Sequence, residues 1–175
     1  MCPLQELFET FNEEGEPVGL FARDVVHKLG LWHCASNVFL FRSDGRLIVQ
    51  RRHESKDVCP GTWDLSVAEH LEPGERFLAG ALRGLREELG VTGVSLEPVS
   101  AVVRAKLDVA ELGIKDYEFQ VSFRGVSDAE LMLQTAEVAE IRLCRVDELR
   151  AEMLTSPERF TPWFLGRARD VGLFG

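Results

Sequence analysis

The sequence predicts an α/β sandwich built on a mixed β-sheet, and three observations carry that reading. Two early stretches read as strand, polar turn, strand. An amphipathic helix follows over Arg76 to Leu89, and further strands and two more helices close the chain. Hairpins, then a helix, then strands and helices again is the order of a sandwich rather than of a regular βαβ array.

The elements justify themselves in turn. LFETF, the polar turn NEEGE and PVGLF form an N-terminal hairpin over about 7–22. ASNVFLF and LIVQRR flank Asp44-Gly45, a strong hairpin turn. The polar loop HESKDVCPG leads into WDLSVAEHL, a short extended segment, and Pro73-Gly74 breaks the chain before the helix. In that helix Phe77, Ala81, Leu82, Leu85 and Leu89 recur at the spacing of one buried face. Glu75 suits the positive end of the helix dipole, and Gly90 stands where a left-handed cap belongs. VSAVVRAKL, YEFQVSF and AEIRLCRV read as further strands, Val146 to Met153 as a helix, and FTPWFLGRARDVGLF as a closing helix over about 161–172.

The 175 residues suit one domain, 1–175, with no Pro/Gly/Ser linker to divide it. Twenty Lys+Arg against 29 Asp+Glu give a net charge of −9, which repels nucleic acid and anionic membranes at long range. A small anionic substrate remains compatible, because a divalent cation reverses the local field. Cys2, Cys34, Cys59 and Cys144 are scattered and read as reduced thiols. MCPLQELFET lacks the form of a secretory signal and no apolar run approaches a membrane span, so the expectation is a cytoplasmic protein without a membrane or nucleic-acid partner.

Chemistry concentrates in EHLEPGERFLAGALRGLREELGV, residues 69–91. It resembles the signature of the Nudix superfamily, G-x5-E-x7-R-E-U-x-E-E-x-G-U, with U a bulky aliphatic. Glu75, Arg83, Leu85, Glu87, Glu88, Gly90 and Val91 stand in register with it. Two positions depart: Glu69 replaces the first glycine and Gly84 the glutamate after arginine. The resemblance implies the Nudix fold, Glu88 as metal ligand supported by Glu87, and a Glu75–Arg83 ion pair fixing loop to helix. The chemistry asks for such a cluster, since a diphosphate resists water until a hard cation, Mg²⁺ or Mn²⁺, neutralises it. At 84 the signature glutamate binds metal or acts as base, which glycine cannot do. Gly84→Glu is expected to restore the carboxylate in a tolerant helix, unless something packs closely against that glycine.

The chain also looks like the branch of this superfamily that contains isopentenyl-diphosphate isomerase and related hydrolases. EGEPVG, VHKLGLWHCASNVFLF, LIVQRR..SKDVCPGTWDLSV and FTPWF carry that likeness in order. It implies a metal centre of His27, His33, His70, Asp116 and Glu118, a mixed N/O set for Mn²⁺, Mg²⁺ or Zn²⁺. The period of two in KDYEFQV sets both carboxylates on one strand face. The branch's reactive cysteine is replaced by Ala68. Arg51, Arg52 and Lys56 match residues that face the diphosphate, and arginine suits phosphate oxygens. Trp63 and Trp163 read as structural residues or pocket walls, Tyr117 as packing on the opposite face, and His53 as a loop residue.

Three readings follow. The first is a metal-dependent hydrolase of a nucleoside- or prenyl-diphosphate-type small molecule, with Glu87, Glu118 and Glu69 as catalytic candidates. The second is isomerase-like proton transfer at the histidine centre, disfavoured by Ala68. The third is a silent diphosphate-binding module.

Overall fold

The computed structural model describes residues 6–173. Cys2 and both ends of the expected 1–175 domain lie outside the described residues. The N-terminal hairpin pairs β1 (Leu7–Phe11) with β2 (Pro17–Ala22), and a helix, α1 (Arg23–Leu29), follows. β3 (Trp32–Phe41) and β4 (Leu47–Arg52) precede two short strands, β5 (Trp63–Asp64) and β6 (Val67–His70). The signature helix α2 spans Phe77–Leu89. β7 (Leu96–Pro98), β8 (Val103–Val109), β9 (Ile114–Val126) and β10 (Val138–Cys144) complete the sheet. α3 (Val146–Thr155) and α4 (Pro162–Asp170) complete the helices. Among the described residues no helix is long and apolar enough to cross a membrane.

β3 is the organising strand. It runs parallel to β9 along its whole length and antiparallel to β6, so the sheet is mixed. Its alternation builds both layers. Val38 and Leu40 meet Ala81, Leu85 and Leu89 of α2, while Phe39 and Phe41 meet Leu149, Met153, Phe160 and Phe164 on the other side. The architecture is thus the α/β/α sandwich expected. Leu85 and Leu89 are fully buried, each contributing about 1.5–3 kcal/mol.

Local chemistry sets the helix ends. Gly90 caps α2 at φ 70° with its N–H on the Arg86 carbonyl, and the Val91 N–H bonds the Leu85 carbonyl. Thr161 caps α4 by accepting the Phe164 N–H, with Pro162 at the first helical position.

Three expectations need correcting here. Leu82 is 37% exposed; the buried face of α2 instead runs through Gly80, Ala81, Gly84, Leu85 and Glu88 to Leu89. Glu75 serves the loop rather than the dipole, accepting the Glu72 N–H at 2.9 Å and the Arg83 guanidinium. α1 is absent from the sequence reading, because its seven residues are too few to display a helical period.

Candidate active site

Three adjacent strands assemble the first cluster. In register, His33 of β3 lies opposite Glu118 of β9, and Ala35 opposite His70 of β6. Asp116 shares the face of Glu118, and α1 delivers His27. One ligand atom from each of His27, His33, His70 and Asp116 lies within 4.8 Å of the others. His27 Nε2 and His33 Nε2 stand 3.5 and 3.3 Å from Asp116 Oδ1, and His70 Nε2 stands 3.2 Å from Glu118 Oε1.

The packing fixes these rings. Phe8 of β1 lies against all three imidazoles, with centroids 5.9, 5.0 and 4.7 Å from His27, His33 and His70. His33 Nδ1 faces the Leu31 carbonyl at 3.1 Å; with the proton on Nδ1, the Nε2 lone pair points into the cluster. The Gln120 amide donates to Glu118, and Asn37 donates to Gln120 at 3.3 Å.

The titratable groups of the cluster shift one another. Burial lowers the His27 pKa to about 4 against the pull of Asp116, which keeps the ring neutral as a ligand must be. Burial works against the Asp116 carboxylate too, yet His33 and the other histidines hold its pKa down to about 2. His70 is raised despite burial, through the hydrogen bond and charge of Glu118. His27 Nε2, His33 Nε2 and Asp116 Oδ1 are buried without hydrogen-bond partners. Orphaned acceptors converging from three elements fit a divalent cation.

A second group of side chains opens beside the first. Glu69, His70, Ala68, Arg23 and Arg52 line both the histidine cluster's pocket and a neighbouring cavity of about 710 Å³, which Lys56, Arg83, Glu87 and Glu88 also line. The two form one cleft. Glu88 is buried, and burial raises its pKa to about 8 although Gln50 donates to it at 2.8 Å. Burial likewise raises Glu69, against the charge of Arg83. Glu87 sits at the rim, contacted by Arg83 at 3.4 Å and Arg86 at 2.8 Å.

Arg83 ties loop, strand and helix together. Its guanidinium binds both Glu75 oxygens at 3.0 and 2.9 Å, donates to the His70 carbonyl at 2.7 Å and lies 3.2 Å from Glu69. The Glu75–Arg83 pair implied by the signature is therefore present.

Not every basic candidate reaches the cleft. Arg52 and Lys56 line it, and Lys56 also pairs with Glu137. Arg51 shares the parity of Leu47 and Val49 on β4 and pairs at the surface with Glu140 and Glu54. Arg51, grouped with Arg52 by the sequence reading, is thus not among the residues that line the cleft. Gly84 is corrected as well: a Cβ there would stand 2.6 Å from Val67 Cγ1, so the helix does not accept a glutamate freely.

Several site residues were missed by sequence reasoning. Gln50 alternates with Arg52 on one strand face, a signal that was available. Asp64 lies wholly buried in WDLS and accepts from Thr161, Trp163 and the Leu65 N–H. Trp163, held this way, walls the cleft with the Arg52 guanidinium 5.1 Å from its ring centroid, whereas Trp63 belongs to the core. Tyr117 lies beside Trp32, outside the cleft, and His53 contacts Ser55 in its loop. Phe8 and Gln120 gave no local signal.

This fold and the signature geometry on α2 define a recognised class. The profile of the NUDIX domain matches residues 31–164, and the chain belongs to the Nudix family. An isopentenyl-diphosphate Delta-isomerase of Pectobacterium atrosepticum is 31% identical over 162 residues, covering 93% of this chain and 88% of that one. A protein described as an uncharacterized Nudix hydrolase of Pseudomonas aeruginosa is 34% identical over 152 residues, covering 87% and 86%. In fold, a Deinococcus radiodurans crystal structure matches with a TM-score of 0.76 at 23% identity, covering 95% of this chain and 99% of that one.

Proposed function

We propose that the chain is a divalent-metal-dependent hydrolase that cleaves the diphosphate linkage of a nucleoside- or prenyl-diphosphate-type small molecule. The observation that carries this reading is the single cleft. It joins the half-buried Glu69 of β6 and the buried Glu88 of α2 to the cations Arg52 and Lys56 and to the three-histidine cluster. His27, His33, His70, Asp116 and Glu118 would hold one Mg²⁺ or Mn²⁺, and Glu88 with Glu87 another. Such a cation supplies charge neutralisation of the diphosphate. Arg52 and Lys56 bind phosphate oxygens, arginine in bidentate fashion. The anchored arms of Arg83 keep the Glu75 loop closed on α2, and Trp163 excludes water from one wall.

A panel of nucleoside and prenyl diphosphates, each with Mg²⁺ or Mn²⁺, tests the reading by release of phosphate or monophosphate. Release that requires the cation supports it, and a panel without release under any metal overturns it. One observation favours a second reading, proton transfer on a prenyl diphosphate: four of the five side chains that the isomerase-like resemblance names, His27, His33, His70 and Asp116, converge. Ala68 argues against it, since alanine neither gives nor takes a proton at the position of the branch's cysteine. Interconversion of prenyl diphosphates without phosphate release is the outcome it requires.

A further inference from the structure

The two departures from the Nudix signature face each other in space. The signature places glycine at 69 and glutamate at 84; this chain carries Glu69 and Gly84. β6 crosses α2 so closely that a Cβ built on Gly84 would lie 3.1 Å from Glu69 Cβ and 3.3 Å from Glu69 Cγ, besides its 2.6 Å approach to Val67 Cγ1. The space a side chain at 84 needs is filled by Val67 and the stem of Glu69. Conversely, only glycine at 84 leaves that stem its place. Glycine at 84 is thus a physical condition for glutamate at 69.

The carboxylate at the end of that stem is not lost to the surface. The Glu69 side chain is 20% exposed, is held 3.2 Å from the Arg83 guanidinium, and lines the cavity shared by Glu87, Glu88 and Lys56. Arg83 is itself fixed by both oxygens of Glu75 and the His70 carbonyl, so Glu69 is tethered to a rigid point.

We propose that positions 69 and 84 are a compensated exchange, in which the catalytic carboxylate has moved from helix α2 to strand β6 and Glu69 performs its work. The inference rests on the hydrolase reading. In the reaction the water oxygen bonds to phosphorus as its proton passes to the Glu69 carboxylate. The bridging P–O bond breaks, and its electron pair leaves with the departing phosphate. Neither an oxidant nor a further reactant is needed. Gly84 acts only through the room it leaves for Glu69, as a positioning residue.

The test compares wild type with Glu69→Gln and with Val67→Ala/Glu69→Gly/Gly84→Glu. The first keeps the size of the side chain and removes the charge. The second returns the carboxylate to the helix and relieves the Val67 contact. Expected is a loss of at least ~100-fold in kcat for Glu69→Gln, at unchanged KM and with little change in Tm. The triple variant is expected to recover at least ~10-fold of that loss, the scale on which a repositioned base acts. If wild type hydrolyses the panel and Glu69→Gln is as fast, the exchange is overturned and the hydrolase reading stands. If wild type hydrolyses nothing, that reading and the catalytic role of Glu69 fail together, and unfolding decides only whether positions 69 and 84 are sterically coupled. Gly84→Ala is expected to lower Tm by several degrees in a Val67→Ala background and by much less in the Val67→Ala/Glu69→Gly background, so that only the Glu69 stem differs between the two. Equal losses in both backgrounds overturn the exchange.

Discussion

The indole N–H of Trp163 donates to both carboxylate oxygens of Asp64, at 2.9 and 2.8 Å, and so pins the last helix to the short strand β5. Asp64 also accepts from Thr161 Oγ1 at 2.9 Å and lies 3.5 Å from Arg52. Burial raises its pKa, with Arg52 and these donors opposing the rise. One buried carboxylate therefore holds a wall and a cation of the cleft together.

Asp64→Ala leaves the Thr161 hydroxyl, the Trp163 indole and the Leu65 N–H without their acceptor. At ~1–3 kcal/mol for each unsatisfied group, the expected loss is at least ~3 kcal/mol. Urea unfolding followed by tryptophan fluorescence measures it. A loss under ~0.5 kcal/mol would show that water replaces the carboxylate and that the pin is not structural.

Metal binding should be confined by the histidine cluster. Calorimetric titration with Mn²⁺ is expected to find a site that Asp116→Asn weakens by at least ~10-fold. At a hundred times the dissociation constant the cation should stabilise the fold by about 2.7 kcal/mol. Identical titrations for the two proteins would remove Asp116 from the site.

Arg51 and Arg52 are neighbours in sequence but not in role. Arg52→Ala is expected to raise KM by ~10-fold or more, through loss of a charge-assisted contact of ~1.5–3 kcal/mol. Arg51→Ala removes only exposed ion pairs with Glu54 and Glu140 and should leave KM within about twofold. Equal effects would return Arg51 to the phosphate site.

Cys34 tests whether another thiol has replaced the one absent at Ala68. Burial pushes its pKa up to about 12, with Glu9 and Glu118 adding to the rise. The thiolate fraction grows tenfold per pH unit below that value, so at pH 8 it is only ~10⁻⁴. Iodoacetamide at pH 8 should leave Cys34 unmodified in the native protein and label it in urea. Native labelling as fast as in urea would contradict this and revive a thiol mechanism.

Much of the fold was legible because it is written in local periods. The hairpin turn at Asp44-Gly45, the alternation of β9 and the C-cap at Gly90 each need only a few neighbouring residues. The histidine centre was legible through family likeness, and its assembly depends on the β6–β3–β9 register, which no local pattern states. What the sequence hid was contact across elements. Gly84 reads as a vacancy along the chain and is a point of close packing in space, because its neighbours Val67 and Glu69 lie on another strand. Arg51 was grouped with Arg52 by adjacency, although strand parity sends them to opposite faces. Phe8 packs against three histidines from a hairpin whose sequence shows only alternation.

The central claim is that water attacks phosphorus in this cleft. Hydrolysis of a turned-over diphosphate in ¹⁸O-labelled water, read by mass spectrometry of both products, tests it most directly. The account predicts one labelled oxygen on phosphorus, in either the phosphate or the organic monophosphate, and none on carbon. A labelled alcohol released with unlabelled diphosphate would place the attack at carbon, and a rearranged diphosphate without label would replace hydrolysis by isomerisation.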